Sequence, residues 1–317
     1  MKKVLFAFLA SFIILSTSCG EKIPKDFVLV EGGTFRMGVE LSDELWDEVN
    51  QYDFEGIRSK MTLSQMKKAA EKNGILPYFV AHTVKLNSFY MCKHEVTQAE
   101  YTEIMGENPS DNKENDDFPV GEVSWSKAVE YCNKRSEKEG LTPCYLKNGK
   151  DYLWDFRANG YRLPTEAEWE FAARGGNKSK GYKYSGSNDA SEIAWVEYSE
   201  SAGLYELGEY HEVMTKAPNE LGIFDMTGNM LEWCWDWYAA PWWEGEEPLD
   251  NPTGAESDAF VRLLWHKDID LAVNKNDGGR VIRDINITGE TISPVYMRFY
   301  NISDISGTGF RVVRSKK

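Results

Sequence analysis

Tyr161-Arg162-Leu163-Pro164-Thr165-Glu166-Ala167-Glu168-Trp169-Glu170 carries three local instructions in ten residues. Pro164 keeps the residue before it extended, so the segment enters as strand rather than helix. Thr165 and Glu168 place a hydroxyl and a carboxylate three apart, where each can satisfy free N–H groups of a first helical turn. Trp169 and Phe171 follow as large packing anchors, and Gly175 supplies a stop. The same start signal recurs at Thr97 and Glu100, with Gly106 as the stop.

Working outward, Ser124 to Gly140 reads as a third helix, with Ala128, Val129 and Cys132 on its apolar face. Phe27 to Glu31 and Thr34 to Met37 read as strands of a hairpin turned at Gly32-Gly33. The polar stretch Glu40 to Lys72 is expected to be helical, with Thr62 and Gln65 as a capping box and Gly74 as a stop, and to be an insertion. After Gly176 no helical period persists, and turn residues separate short apolar pairs as in short strands and loops. The chain shows no internal repeat.

Composition narrows the function. Of 317 residues, 42% are hydrophobic and 27% charged, ordinary for a folded chain. The net charge of -15 repels a phosphate backbone, so no nucleic-acid partner is expected. Eleven Trp, 16 Tyr and 15 Phe are enough rings to fill a core that has few long helices. Glu244 to Asp250 reads as a solvated acidic loop.

The N-terminus reads as an address. Lys2-Lys3 and the apolar run Val4 to Leu15 have the form of a secretory signal over residues 1–18. This run of twelve residues rises about 18 Å as a helix, short of the roughly 30 Å needed to span a bilayer. Leu15-Ser16-Thr17-Ser18-Cys19-Gly20 resembles a bacterial lipobox, which makes Cys19 the expected lipidation site and residues 19–26 an anchor and tether. The expected location is therefore the bacterial cell envelope, periplasmic or surface-exposed, held to the membrane through the N-terminal lipid.

Cys92, Cys132, Cys144 and Cys234 remain. Export permits disulfides, and four cysteines allow three full pairings. Cys132 with Cys144 is the nearest pair in sequence, and small buried thiols are the alternative. His82, His94, His211 and His266 are scattered and read as structural.

The order of the motifs says more than any one of them. Val30-Glu31-Gly32-Gly33-Thr34-Phe35-Arg36-Met37-Gly38 is followed by Glu95-Val96-Thr97-Gln98-Ala99-Glu100-Tyr101 and by Pro119-Val120-Gly121-Glu122-Val123-Ser124-Trp125. The proline-threonine segment comes next, then Gly222-Ile223-Phe224-Asp225-Met226-Thr227-Gly228-Asn229-Met230-Leu231-Glu232-Trp233, and Gly309-Phe310-Arg311 near the end. From about Phe27 to Val313 this series resembles the formylglycine-generating enzyme family, also called sulfatase-modifying factor. The resemblance implies one α+β domain over residues 27–317, C-type-lectin-like and low in regular secondary structure. Residues of about 40–80 and 242–277 then read as insertions.

Gly228-Asn229 is a turn flanked by carboxylates, read from the residues alone as a capped turn or a calcium loop. The resemblance implies calcium, held by the side chains of Asp225 and Glu232 and the carbonyls of Gly228 and Met230. A second family calcium site uses an asparagine before a tryptophan, and Ile193-Ala194-Trp195 lacks it.

Family oxidases convert a sulfatase cysteine to formylglycine with copper held by two cysteines, and soft thiolates suit that metal. Here Arg280-Val281-Ile282-Arg283 matches the segment before the pair, but Asp284, Ile285 and Asn286 follow, and no cysteine lies between them and Gly309. The last cysteine is Cys234, in an aromatic segment read as core. Copper and formylglycine-forming activity are therefore not expected, and dispersed histidines argue against the iron-binding branch. The expected role is ligand binding or assembly by a pseudoenzyme.

A family enzyme with altered oxidase chemistry is one alternative, and a variable ligand-binding protein of a diversity-generating retroelement is the other. Asp284 to Thr308, rich in Asn, Ser, Thr and Tyr, is the segment such proteins diversify. Asn286, Tyr296, Arg298 and Tyr300 are the expected ligand face, toward a protein or glycan.

Overall fold

Strand β1 (Phe27–Val30) does not turn back on β2 (Gly33–Met37), as the hairpin reading expected. In the computed structural model β1 pairs antiparallel with β4 (Phe89–Cys92), while β2 pairs with β3 (His82–Leu86), so the two glycines carry the chain from one sheet to another. The reason is space. A Cβ on Gly32 would meet the backbone of Asn87 at 2.7 Å and Ser88 N at 2.8 Å, so the residue serves close backbone approach rather than a tight turn.

The structure describes residues 23–40, 42, 81–195, 197–199, 204–206, 210–238, 248–254, 279–284, 295–296, 298–301 and 307–317. The signal segment, Cys19, Asn286, His266, the capping box at Thr62 and Gln65, and most of both insertions lie outside the described residues.

Three helices of regular length follow the expected starts. Helix α1 (Gln98–Met105) has Thr97 and Glu100 in a reciprocal capping box and Gly106 in the left-handed conformation at its end. Helix α2 (Trp125–Lys138) is capped by Ser124, and α3 (Glu166–Ala173) by the box of Thr165 and Glu168. Between α2 and α3 lie β5 (Tyr145–Asn148), β6 (Asp151–Trp154) and β7 (Tyr161–Arg162). A four-residue helix α4 (Ala190–Ile193) precedes β8 (Glu197–Ser199) and β9 (Leu204–Glu206). The remaining strands are β10 (Leu231–Trp237), β11 (Leu249–Asp250), β12 (Arg280–Arg283), β13 (Phe299–Asn301), β14 (Thr308–Gly309) and β15 (Val313–Ser315).

One sheet runs β1-β4-β15-β7, so the C-terminal strand is inserted beside the N-terminal ones. A second runs β13-β12-β10-β14, and β10 bonds antiparallel to β12 but parallel to β14. Aromatic side chains lock the layers: Tyr101 stacks on Tyr131 at 5.6 Å, with Phe310 edge-on to both.

Helix α3 is buried along its whole length, although Glu166, Glu168 and Glu170 are part of it. Arginines from elsewhere neutralise all three. Arg162 is bidentate to Glu168 at 2.6 and 2.7 Å, and Arg283 bridges Glu166 and Glu170 at 2.9 Å each. Glu170 also takes Arg174. Such pairs stabilise little beyond the cost of desolvating both ions, but losing one partner leaves a buried charge.

Candidate functional site

The turn before β10 gathers the charged groups of the Gly222 to Trp233 motif. Asp225, Gly228 and Asn229 have φ of 54°, 87° and 71°, so the chain curls left-handed three times in five residues. Gly228 is required there: a Cβ would meet Trp195 O at 2.7 Å and Trp195 N at 2.9 Å. Asn229 ties the turn to three segments. Its amide donates to Glu95 Oε2 at 3.0 Å, its side-chain oxygen accepts from His211 N at 2.9 Å, and its backbone N–H donates to Trp195 O at 3.2 Å.

From the start of β10, Glu232 points into the core and meets Arg311. Arg311 donates through Nε and Nη2, the shortest contact being 2.6 Å, and Trp169 Nε1 donates to the same carboxylate at 2.9 Å. Arg311 Nη2 also reaches the carbonyls of Asp225 at 2.9 Å and Phe224 at 3.1 Å, which welds the turn to the C-terminal segment. Asp225 Oδ2 accepts from Met214 N at 2.7 Å, and Asp284 Oδ1 from Gly228 N at 2.8 Å.

Around this turn four buried oxygens have no hydrogen-bond partner: Glu95 Oε1, Asp225 Oδ1, Asp284 Oδ2 and Thr308 Oγ1. Burial pushes the Glu95, Asp225 and Asp284 carboxyls above their usual range, with neighbouring carboxylates adding to it. The fit to calcium is uneven. Asp225 offers a hard oxygen with nothing bound, whereas Gly228 O already accepts from Met230 N at 3.0 Å and Glu232 is compensated by Arg311. Among the described residues no three His, Cys, Asp or Glu side chains are grouped as a metal centre, so an ion here would depend on backbone carbonyls.

The region matching the copper segment is built differently. Arg280 lies between Trp125 and Trp237, its guanidinium carbon 3.7 and 3.6 Å from the ring centres, and donates to Asp151 at 2.8 Å. Arg283 is fully buried on α3, and Asp284 turns left-handed behind it. Cys92, Cys132, Cys144 and Cys234 are buried free thiols, none of them on β12, β13 or β14. Burial raises the thiols of Cys132, Cys144 and Cys234, which opposes the thiolate that copper needs.

Two expectations are corrected here. Cys132 and Cys144 form no disulfide: Cys132 is enclosed within α2, and Cys144 Sγ donates to Gly160 O at 3.4 Å. Arg298 is not a ligand-facing residue. It is buried, donates through Nε and Nη2 to both oxygens of Glu166 at 2.6 Å, and sits over the Tyr238 ring. Tyr296 is half-buried and Tyr300 lies on β13, while Asn286 is outside the described residues. Asp284 and Thr308, the ends of the segment expected to vary, are core.

Sequence reasoning missed Glu95, Asn229, Asp284 and Arg311 as partners of the turn. Each lies in or beside a quoted motif, but only tertiary contact reveals the pairing. A cleft of about 290 Å³ lies elsewhere, lined by Asn87, Ser88, Trp154, Phe156, Arg162 and Glu168 among others, with no residue of the turn on its wall.

This architecture defines a formylglycine-generating-enzyme-like fold, mixed in helix and strand and sparing of both. The Treponema denticola variable protein 1 structure superposes with a TM-score of 0.64 at 25% identity, over 92% of this chain and 95% of its own. PvdO from Pseudomonas aeruginosa shares the fold at a TM-score of 0.56 and 21% identity, over 93% and 97%. The chain belongs to the sulfatase-modifying factor enzyme 1-like domain family, which matches residues 15–316. Among relatives, the chaperone protein LppX of Paenibacillus barcinonensis is 38% identical over 75% of this chain and 81% of its own length. The formylglycine-generating enzyme of Thermomonospora curvata is 28% identical over 75% and 80%.

Proposed function

We propose that the chain is a lipid-anchored, non-catalytic member of the family that acts in ligand binding or assembly at the bacterial cell envelope. The observation that carries this is the lack of any cysteine between Arg280 and Gly309, with the four described thiols buried elsewhere. A copper oxidase of this family needs a thiolate pair there, and none can be recruited without unfolding the core. The relative named a chaperone favours an assembly role, and the lipobox-like segment at Cys19 favours the envelope. Calcium, where bound, is structural in this reading, with the unpartnered Asp225 oxygen as its side-chain ligand.

The test is a mass-spectrometric assay of a sulfatase-motif peptide with the protein, copper and oxygen. No aldehyde product is expected. Aldehyde formation would overturn the reading in favour of an enzyme with altered chemistry. Likeness to a variable protein favours a second reading, a diversified ligand-binding surface. Allele sequencing decides it, because invariance of residues 285–307 removes it.

A further inference from the structure

Among the described residues five large apolar side chains stand exposed, and three belong to one hairpin: Leu146 at 58%, Leu153 at 56% and Phe156 at 63%. In the register of β5 with β6, Tyr145 faces Trp154 and Leu146 faces Leu153. Alternation puts these pairs on opposite faces. The inner face is satisfied, since Tyr145 stacks on Trp235 at 4.8 Å and Trp154 meets the same ring edge-on. The outer face leaves the leucine pair bare, and Phe156, just beyond β6, rests on Trp154 at 4.6 Å with the rest of its ring exposed.

The charges around this patch run against the rest of the chain. Across residues 144–160 every charged side chain in full exposure is basic: Lys147, Lys150 and Arg157. Of the two acids nearby, Asp151 is held by Arg280 at 2.8 Å and Asp155 pairs with Arg157 at 3.2 Å, which leaves Lys147 and Lys150 as the cations free to meet an anion. Lys317 Nζ donates to Phe156 O at 3.2 Å, which brings the C-terminal lysines beside the ring. In a protein of net charge -15 this is a local reversal of sign.

Exposed apolar side chains ringed by cations match the chemistry of an anionic bilayer surface, with acyl boundary for the one and phosphates for the other. The anchor and tether expected at the N-terminus point the same way. Residues 19–26 span at most about 26–29 Å when extended. They enter the fold at Phe27, whose ring meets Tyr161 at 5.7 Å in the apolar cluster that also holds Tyr145 and Trp154.

We infer that the β5–β6 hairpin docks on an anionic phospholipid surface, with Leu146, Leu153 and Phe156 below the headgroups and Lys147 and Lys150 against the phosphates. This rests on the lipid-anchored reading for the proximity of the membrane. It orients the domain with the hairpin down and leaves the remaining surface to partners.

The test uses the full chain isolated from membranes and carrying Leu153→Cys labelled with an environment-sensitive dye, reconstituted in phosphatidylglycerol or phosphatidylcholine vesicles. Docking shifts the dye emission to the blue in the first and not the second, and high salt reduces the shift. A dye on Lys113→Cys, an exposed position away from the hairpin, keeps its aqueous emission in both. Adding Lys147→Glu and Lys150→Glu to the Leu153→Cys chain cancels the shift; these side chains are exposed, so the fold is retained. A dye at 153 that stays in water while the protein floats with vesicles overturns docking and leaves anchoring intact. Dye uptake by the unsubstituted chain reports a free Cys19 and so tests anchoring separately. In that case flotation with phosphatidylglycerol vesicles alone still supports docking, and no flotation overturns it. A concentration-dependent blue shift without vesicles assigns the patch to self-association and also overturns it.

Discussion

Arg311 closes on Glu232 with its Nη2 2.6 Å from Oε1, and neither side chain has any exposure. Seventy-nine residues separate them, and the contact fastens the final segment of the chain to the turn that precedes β10. Removing one partner of such a pair costs about 3–5 kcal/mol, because the other charge stays buried and unpaired. Urea unfolding of Arg311→Met is expected to show a loss of that order, and Glu232→Leu combined with Arg311→Met a smaller one. A double-variant loss equal to the sum of the Arg311→Met and Glu232→Leu losses would show that the pair is uncoupled.

Calcium should raise the melting temperature and EDTA should lower it, if the unpartnered Asp225 oxygen serves an ion. A ligand at 100 times its dissociation constant stabilises by about 2.7 kcal/mol. Asp225→Ala is expected to abolish the response in differential scanning calorimetry. A melting temperature indifferent to both additions in the unaltered chain would count against structural calcium.

Asp236 makes stability depend on pH. Burial pushes its carboxyl up to about 8, with the charge of Glu166 adding to the effect, while the unfolded value is about 3.9. Below about pH 4 both states hold the proton and the contribution is fully present. Between about 4 and 8 the unfolded chain releases it first, so stability falls as pH rises and levels off above the folded value. Asp236→Asn keeps an acceptor for Glu166 N, which lies 2.8 Å from Oδ2, and should flatten this loss in denaturation series from pH 5 to 8. An unchanged slope would place the effect on another group.

The four described cysteines should resist alkylation in the native protein, since all are buried. In urea, without any reductant, each is expected to take up iodoacetamide, as read by peptide mass spectrometry. Cys132 and Cys144 peptides that remain linked until reduction would restore the disulfide.

Local chemistry was legible and partnership was not. The boxes at Thr97 with Glu100 and at Thr165 with Glu168 were readable because both members lie within one turn. The glycine pair at 32 and 33 misled, since nothing nearby encodes that β1 seeks β4, where Phe27 pairs with Cys92. Arg298 looked like a surface residue in a polar segment, yet its partner Glu166 lies 132 positions earlier. At the turn, Asp225 and Gly228 were found from their motif. The commitment of Glu232 to Arg311 depends on a sheet, β10 beside β14, that no spacing announces.

Helix α3 has a consequence for how the chain can be made. A ribosome delivers Glu166 some 117 residues before Arg283, its countercharge. Until then those carboxylates belong in water, and the segment can be capped at one end but cannot be enclosed. The domain is therefore committed to folding late, once nearly the whole chain is present. Enclosure of α3 has to wait for Arg283 and Arg298, close to the end of the chain.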